Sequence, residues 1–270
     1  MSKRSETTLI SYVSGISVIG PGLADWSSSQ PILTGNSAYQ LQPTIFPIPI
    51  LLPAAERRRS GDLVKLTLAV GLEAAQNAAL DPASLACVYT SSSGDGKNCH
   101  EICKTLASDD RQISPTRFHN SVHNAAAGYW SIATGAKTPI SVLCAFDASF
   151  GAGLLEAATQ VVADQISTLL IACDTSYPEP LNSVRTIPEA FGVALALTPE
   201  ANKNTLAIIK IHLTENTTSS VVQPELERLR KTIPAARSLP LLVALAQRQP
   251  TTVVLDYLEH LHIAVEITPC

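Results

Sequence analysis

The sequence predicts an α/β protein with helices packed on mixed β-sheets, and three observations carry that expectation. Short apolar runs rich in β-branched residues alternate with longer amphipathic stretches. The apolar fraction is 46% and the charged fraction only 16%, which suits a well-packed interior and a buried interface. At 270 residues the chain is long enough for one large domain or two small ones.

Taken in order, "LISYVSGISVIG" alternates enough to be a strand, stopped by "GPG". Residues 27–56 are rich in Ser, Pro and Gln and read as loop with short turns. "RRRSGDLVKLTLAVGLEAAQNAAL" predicts one long amphipathic helix, with Val64, Leu66, Leu68 and Leu72 on its buried side and Asp81-Pro82 at its end. "ACVYTSS" is a strand, and "SGDGKNCHEICKTLA" a loop followed by a helix. "ISVLCAF" reads as a buried strand and "ASFGAGLLEAATQVVAD" as the helix after it. "STLLIACD" is a further strand, followed by the proline-rich loop "TSYPEPLNS". "AFGVALALT" and "TLAIIKIHLT" read as an adjacent pair of strands. "PELERLRKTI" and "LPLLVALAQ" are helical, and "TTVVLDYLEHLHIAVEI" closes as a strand–turn–strand unit.

Composition also excludes function classes. A net charge of −4 gives no global basic field for nucleic acid or anionic membrane, although Arg57, Arg58 and Arg59 form a local patch. The amino-terminal "MSKRSETTLIS" lacks the apolar core of a signal peptide. "TIFPIPILLPAA" is too short to span a bilayer and is broken by three prolines, so no membrane span is expected. The six cysteines have no paired spacing, and several lie in apolar runs where a reduced thiol behaves as a small hydrophobe. That points to a reducing, cytoplasmic setting. Cys99, His100 and Cys103 lack the second ligand pair of a structural zinc site, so no metal or cofactor is expected.

The informative stretch is "SVLCAFDAS", residues 141–149, a strand that turns sharply into a helix start. Such an elbow points a side chain at the positive end of a helix, where a cysteine would become a thiolate suited to holding acyl groups. The chain carries Asp147 there, a poor nucleophile for acyl transfer. A carboxylate at a helix start is expected to accept backbone N–H bonds, contributing about 1 kcal/mol.

"ISPTRFHNSVHNAAAGYWSIATGAKTPISVLCAFDASFGAGLLEAA" resembles the β-ketoacyl synthases of the thiolase superfamily. The matching positions are Ser114-Pro115, Asn124, Gly128, Gly135 and Pro139, and counting on without a gap puts the family's nucleophilic cysteine at Asp147. "YVSGISVIGPG", "ERRRSGDLVKLTLAVGLEAA" and "VYTSSSGDG" extend the resemblance over about the first 200 residues. It implies a thiolase-like layered fold, truncated in its carboxy-terminal half: residues 1–200 as the ketosynthase-like half and 201–270 as an abbreviated segment packed on the same domain. His260 and His262 lie in the terminal strand-like run, outside anything like the family's catalytic histidine motifs. The thiolate and the enolate-stabilising donors of a decarboxylative condensation are therefore missing, and the chain is expected to condense nothing by itself.

Within the superfamily the chain resembles chain-length-factor subunits, and, through "SFGAGLLEA" and "CDTSYPEPL", the short ketosynthase-like proteins of aryl-polyene-type pathways. That resemblance implies a heterodimer with an active β-ketoacyl synthase across the central strand-to-strand contact, with acyl carrier protein delivering substrate to the partner. Phe146, Asp147, Ser149 and Phe150 fall at the elbow and interface, with His123 and Asn124 on the loop crossing the mouth. Gly96, Cys99 and Cys103, on one helical face, fall where chain-length factors gate the acyl tunnel. Their small side chains fit an open tunnel for a long acyl or polyene chain, and equally a tight helix seam. Two other readings stand beside this one: an acyltransferase or hydrolase using Cys144 or Ser149, and a homodimeric scaffold. Alternation in the strand puts Cys144 in the interior, where its thiol would be inert.

Overall fold

A computed structural model of the chain describes residues 8–270, so most of the amino-terminal stretch read above lies outside the described residues. Strand β1 (Leu9–Ile19) is followed by helices α1 (Trp26–Leu33), α2 (Ala54–Arg59) and α3 (Asp62–Asn77). Strand β2 (Ala86–Thr90) leads to α4 (Gly96–Leu106), α5 (Pro115–His119) and α6 (Ala125–Thr134). Then come β3 (Ile140–Leu143), α7 (Ser149–Asp164), β4 (Thr168–Asp174), α8 (Leu181–Val184) and β5 (Phe191–Thr198). The remainder is β6 (Ala207–Thr214), α9 (Pro224–Thr232), α10 (Leu239–Gln247), β7 (Thr251–Leu255) and β8 (His262–Pro269).

The eight strands of the described residues form one sheet in the order β3-β2-β4-β5-β1-β6-β8-β7. β2 runs parallel to β3 and β4, and every other pairing is antiparallel. β5 and β6 are not neighbours as the sequence had implied, because β1 lies between them and bonds to both. Alternation divides the core. Leu170, Ala172, Val193, Leu195 and Leu197 face the side packed by α1, α7 and α10. Leu169, Ile171, Cys173, Ala194 and Ala196 face the side packed by α3 and α6. β4 and β5 are buried along their whole length, as strands covered on both faces are. Helix α3 lies so close to β1 that a Cβ at Gly15 would run into the Ala74 carbonyl.

Three further expectations need correction. Residues 26–33 are helical, started by Asp25, whose carboxylate accepts from Ser28 N–H at 2.7 Å. The single long helix is two, broken at Ser60-Gly61, where the backbone is extended. The strand read through residue 146 stops at Leu143 and is half-buried rather than buried, because β3 is one of the sheet's two edge strands.

Candidate functional site

The site is the turn between β3 and α7, at the carboxyl ends of the parallel strands. Phe146 stands at φ 52°, a left-handed conformation that costs a bulky residue energy and must be held by its surroundings. Ser149 holds it: its hydroxyl donates to the Phe146 carbonyl at 2.7 Å and accepts from Ala145 N–H at 3.0 Å. The Ser149 proton is thereby committed to the turn. Among the described residues no histidine hydrogen-bonds to Ser149, so nothing there acts as the base a serine nucleophile requires.

Asp147 does not cap α7. The position before the helix is Ala148, with no side-chain cap, and the Asp147 carboxylate turns instead to two guanidinium groups. Arg185 Nη2 donates to it at 2.6 Å and Arg237 Nη2 at 3.1 Å. Arg237 also donates to Asp256 at 2.8 Å, and Arg230 links Asp256 to Glu227. Paired hydrogen bonds from Arg230 hold Glu227 well below the usual carboxylate range, at about 2. The guanidinium carbon of Arg185 lies over the Phe146 ring, 3.6 Å from its centroid. The elbow is thus plugged by an alternating chain of charges reaching from α8 to the end of β7. Capping fails because a 3-10 turn over Phe146–Ala148 puts Asp147 one residue before the cap position, and the two arginines hold its carboxylate there.

Sequence reasoning missed Arg185, Arg237 and Asp256, which lie 38, 90 and 109 positions beyond Asp147. The only signal was indirect: an aspartate at an elbow needs a countercharge, and the pattern does not say which of the arginines supplies it.

Cys144 is exposed, not interior, because β3 ends one residue earlier, and its thiol donates to the Ser92 carbonyl at 3.0 Å. His123 Nε2 is 3.0 Å from the neighbouring Ser91 carbonyl, and its ring meets Tyr89 edge-on. The two side chains thus lean on adjacent backbone carbonyls, and no hydrogen bond joins them among the described residues. Asn124 precedes α6 without a side-chain cap. Phe150, placed at the interface by sequence, is buried in the core on the α1, α7 and α10 side, since the first turn of α7 rotates it inward.

Beneath the loop that carries Ser91 and Ser92 sits Asp174, at the end of β4 and 2% exposed. It accepts from Ser91 Oγ at 3.2 Å, Ser92 N–H at 2.8 Å and Ala235 N–H at 2.9 Å, and burial raises its pKa. One carboxylate therefore ties the β2–α4 loop to the turn that bears Arg237.

Gly96, Cys99 and Cys103 do line one feature: a groove of about 530 Å³ between α4 and α8, whose other wall includes Leu181 and Val184. Burial, more than the nearby Asp95, raises the Cys99 thiol pKa. A Cβ at Gly96 would touch the Tyr177 ring at 3.1 Å, so α4 already sits tightly on the segment that follows β4. No helix among the described residues is long and apolar enough to cross a membrane.

Residues 26–258 match the family model for the N-terminal domain of β-ketoacyl synthase. No curated protein matches the chain. Among solved structures, a chain of the ketosynthase ApeO in complex with its chain length factor ApeC from Xenorhabdus doucetiae aligns at TM-score 0.73 and 22% identity, covering 96% of this chain and 99% of that one. The ishigamide ketosynthase/chain length factor aligns at 0.70 and 12% identity over 96% and 99%. A β-ketoacyl synthase from Burkholderia phymatum STM815 aligns at 0.68 and 10% identity over 98% and 100%. The fold is that of the ketosynthases, and with the family match spanning most of its length, this chain belongs to the β-ketoacyl synthase N-terminal domain family.

Proposed function

We propose that this chain is a catalytically silent, chain-length-factor-like partner of an active β-ketoacyl synthase, working on a polyene-type acyl chain that acyl carrier protein delivers to the partner. The observation that carries the reading is the state of Asp147. A condensing enzyme needs a thiolate at the elbow to take the acyl chain. Here the elbow holds a carboxylate clamped by Arg185 and Arg237, which offers no thiol on which an acyl chain could be held as a thioester. The named structural neighbours that pair a ketosynthase with a chain length factor support the pairing.

Edge strand β3 is the natural contact. The carbonyls of Pro139 and Leu143 accept from Cys87 N–H on β2 and from Ser91 N–H just beyond its end, so the pleat turns the peptide groups of Ile140 and Val142 to the open side. Co-expression with a ketosynthase of the same pathway, followed by light scattering after size exclusion, is expected to give a one-to-one complex. A homodimer that ignores the ketosynthase would overturn the reading, as would an acyl adduct on Cys144 or Ser149 found by mass spectrometry.

The groove between α4 and α8 is the tunnel wall in this reading. Cys99→Phe adds a ring to that groove and is expected to shorten the products of the complex while leaving its mass unchanged. Product length that does not move would remove α4 from chain-length control.

A further inference from the structure

Between α1 and α2 the chain forms a proline-stiffened strap that presents aliphatic side chains to solvent. Ile45, Ile48 and Ile50 are 73%, 71% and 73% exposed, and Leu41 and Leu51 project as well. The strap is fixed, not loose. Thr44 Oγ1 donates to the Ala190 carbonyl at 2.8 Å, Pro49 and Leu52 are buried, and Arg57 Nη2 donates to the carbonyls of Leu52 at 3.0 Å and Ile50 at 3.4 Å. A held segment that keeps large aliphatic groups in water marks a contact surface.

Its backbone indicates what the contact is. Pro43, Pro47, Pro49 and Pro53 have no N–H to satisfy. Ile50 N–H donates to the Ile48 carbonyl at 2.9 Å and Leu52 N–H to that of Pro49 at 3.1 Å, while Arg57 N–H donates to the Pro53 carbonyl at 2.9 Å. With Arg57 on the carbonyls of Ile50 and Leu52, the carbonyls of Ile48, Pro49, Ile50 and Leu52 are met internally, while the N–H groups of Ile48 and Leu51 have no partner among the described residues. That suits seating at the headgroup boundary, where water and headgroups still reach, and not deep entry into hydrocarbon. A protein partner would instead be met by hydrogen-bonding and aromatic side chains, and the exposed tip offers aliphatic groups and proline only. No charged residue occurs from Trp26 to Ala55; Glu56 and three arginines follow at the strap's base, where Arg59 pairs with Glu56 at 3.1 Å and exposed Arg58 has no ion pair among the described residues. Apolar tip and basic base match the order of acyl and anionic headgroup layers.

We infer that the strap of residues 41–53 seats the protein on an anionic lipid surface, with Ile48, Ile50 and Leu51 in the acyl boundary and Arg58 and Arg59 at headgroup level. The contact is peripheral and independent of the ketosynthase reading, since it uses neither β3 nor the elbow.

Flotation of the full chain with phosphatidylcholine vesicles, with and without phosphatidylglycerol, tests it. Binding is expected on the anionic vesicles, weakening with salt. Ile48→Asp is expected to cut it about tenfold or more, and Arg58→Glu is expected to weaken it only where phosphatidylglycerol is present. Both positions are exposed, so circular dichroism should match the unaltered chain, and Val222→Asp, at an exposed site elsewhere, is expected to bind as before. A tryptophan placed by Ile48→Trp is expected to shift its emission to the blue on vesicle addition. Absence of vesicle binding, or binding indifferent to Ile48→Asp, overturns the proposal. So does loss of a ketosynthase complex in Ile48→Asp without any vesicle effect, which would make the strap a protein contact.

Discussion

Val142→Pro is expected to leave the chain folded and to weaken the proposed complex with a ketosynthase by about 100-fold or more. The expectation rests on which way one N–H points. β3 bonds to β2 through Pro139, Ser141 and Leu143, so the Val142 amide faces the open side, and a proline there removes nothing from the internal ladder. It does remove a donor from any strand that pairs with the edge, and its ring blocks close approach. The neighbouring Ser141→Pro is the contrast: that amide faces β2, so the change is expected to cost about 3 kcal/mol of stability. Thermal unfolding of each variant and light scattering of each co-expressed pair separate the two effects. A Val142→Pro chain that still gives the one-to-one complex would mean the partners meet somewhere other than the strand edge.

Asp174→Ala is expected to lower the unfolding free energy by about 3 kcal/mol, with a matching fall in the denaturant midpoint at unchanged slope. The side chain is buried and receives three hydrogen bonds, two of them from backbone N–H groups of Ser92 and Ala235. Alanine strands those donors where water does not reach them, which costs more than the bonds themselves contribute. Burial raises the Asp174 pKa, so its folded-state value lies above the unfolded one. For such a group, ionisation works against the fold: stability is lost as pH rises through the folded value and is fully retained below the unfolded one. The loss in Asp174→Ala near neutral pH is therefore the net of broken hydrogen bonds and a relieved charge. A change below about 0.5 kcal/mol would mean that the loop of Ser91 and Ser92 and the turn at Ala235 are held by packing alone.

Much of this fold was legible because its signals are local. The β4 run "STLLIACD", the helix after the elbow and the terminal hairpin each announce themselves by period and by flanking turn residues. What failed was either weakly periodic or non-local. The Ser-rich segment of α1 hides a helix whose decisive residue is the Asp25 cap. The pairing of β1 with both β5 and β6 has no trace in either strand's own sequence. At the site, the position of Asp147 could be counted along the chain, but its partners could not. Electrostatic partners are chosen by the folded surface, and Arg185 and Arg237 reach the elbow from different elements. Phe146 likewise gave no sign of its left-handed backbone, since nothing about phenylalanine asks for it.

The place of β1 in the middle of the sheet has a consequence for how the protein is made. Tyr12 pairs with Thr198 on one side and with Ile208 on the other. At ribosomal speeds of about 5–20 residues per second, those neighbours emerge roughly 10–40 s after the strand they must embrace. For that interval the nascent chain carries an unpaired apolar ribbon, partly shielded by the α3 helix that lies against Gly15. Translation pauses between the two halves prolong the exposure, and chaperone demand at that stage falls on β1.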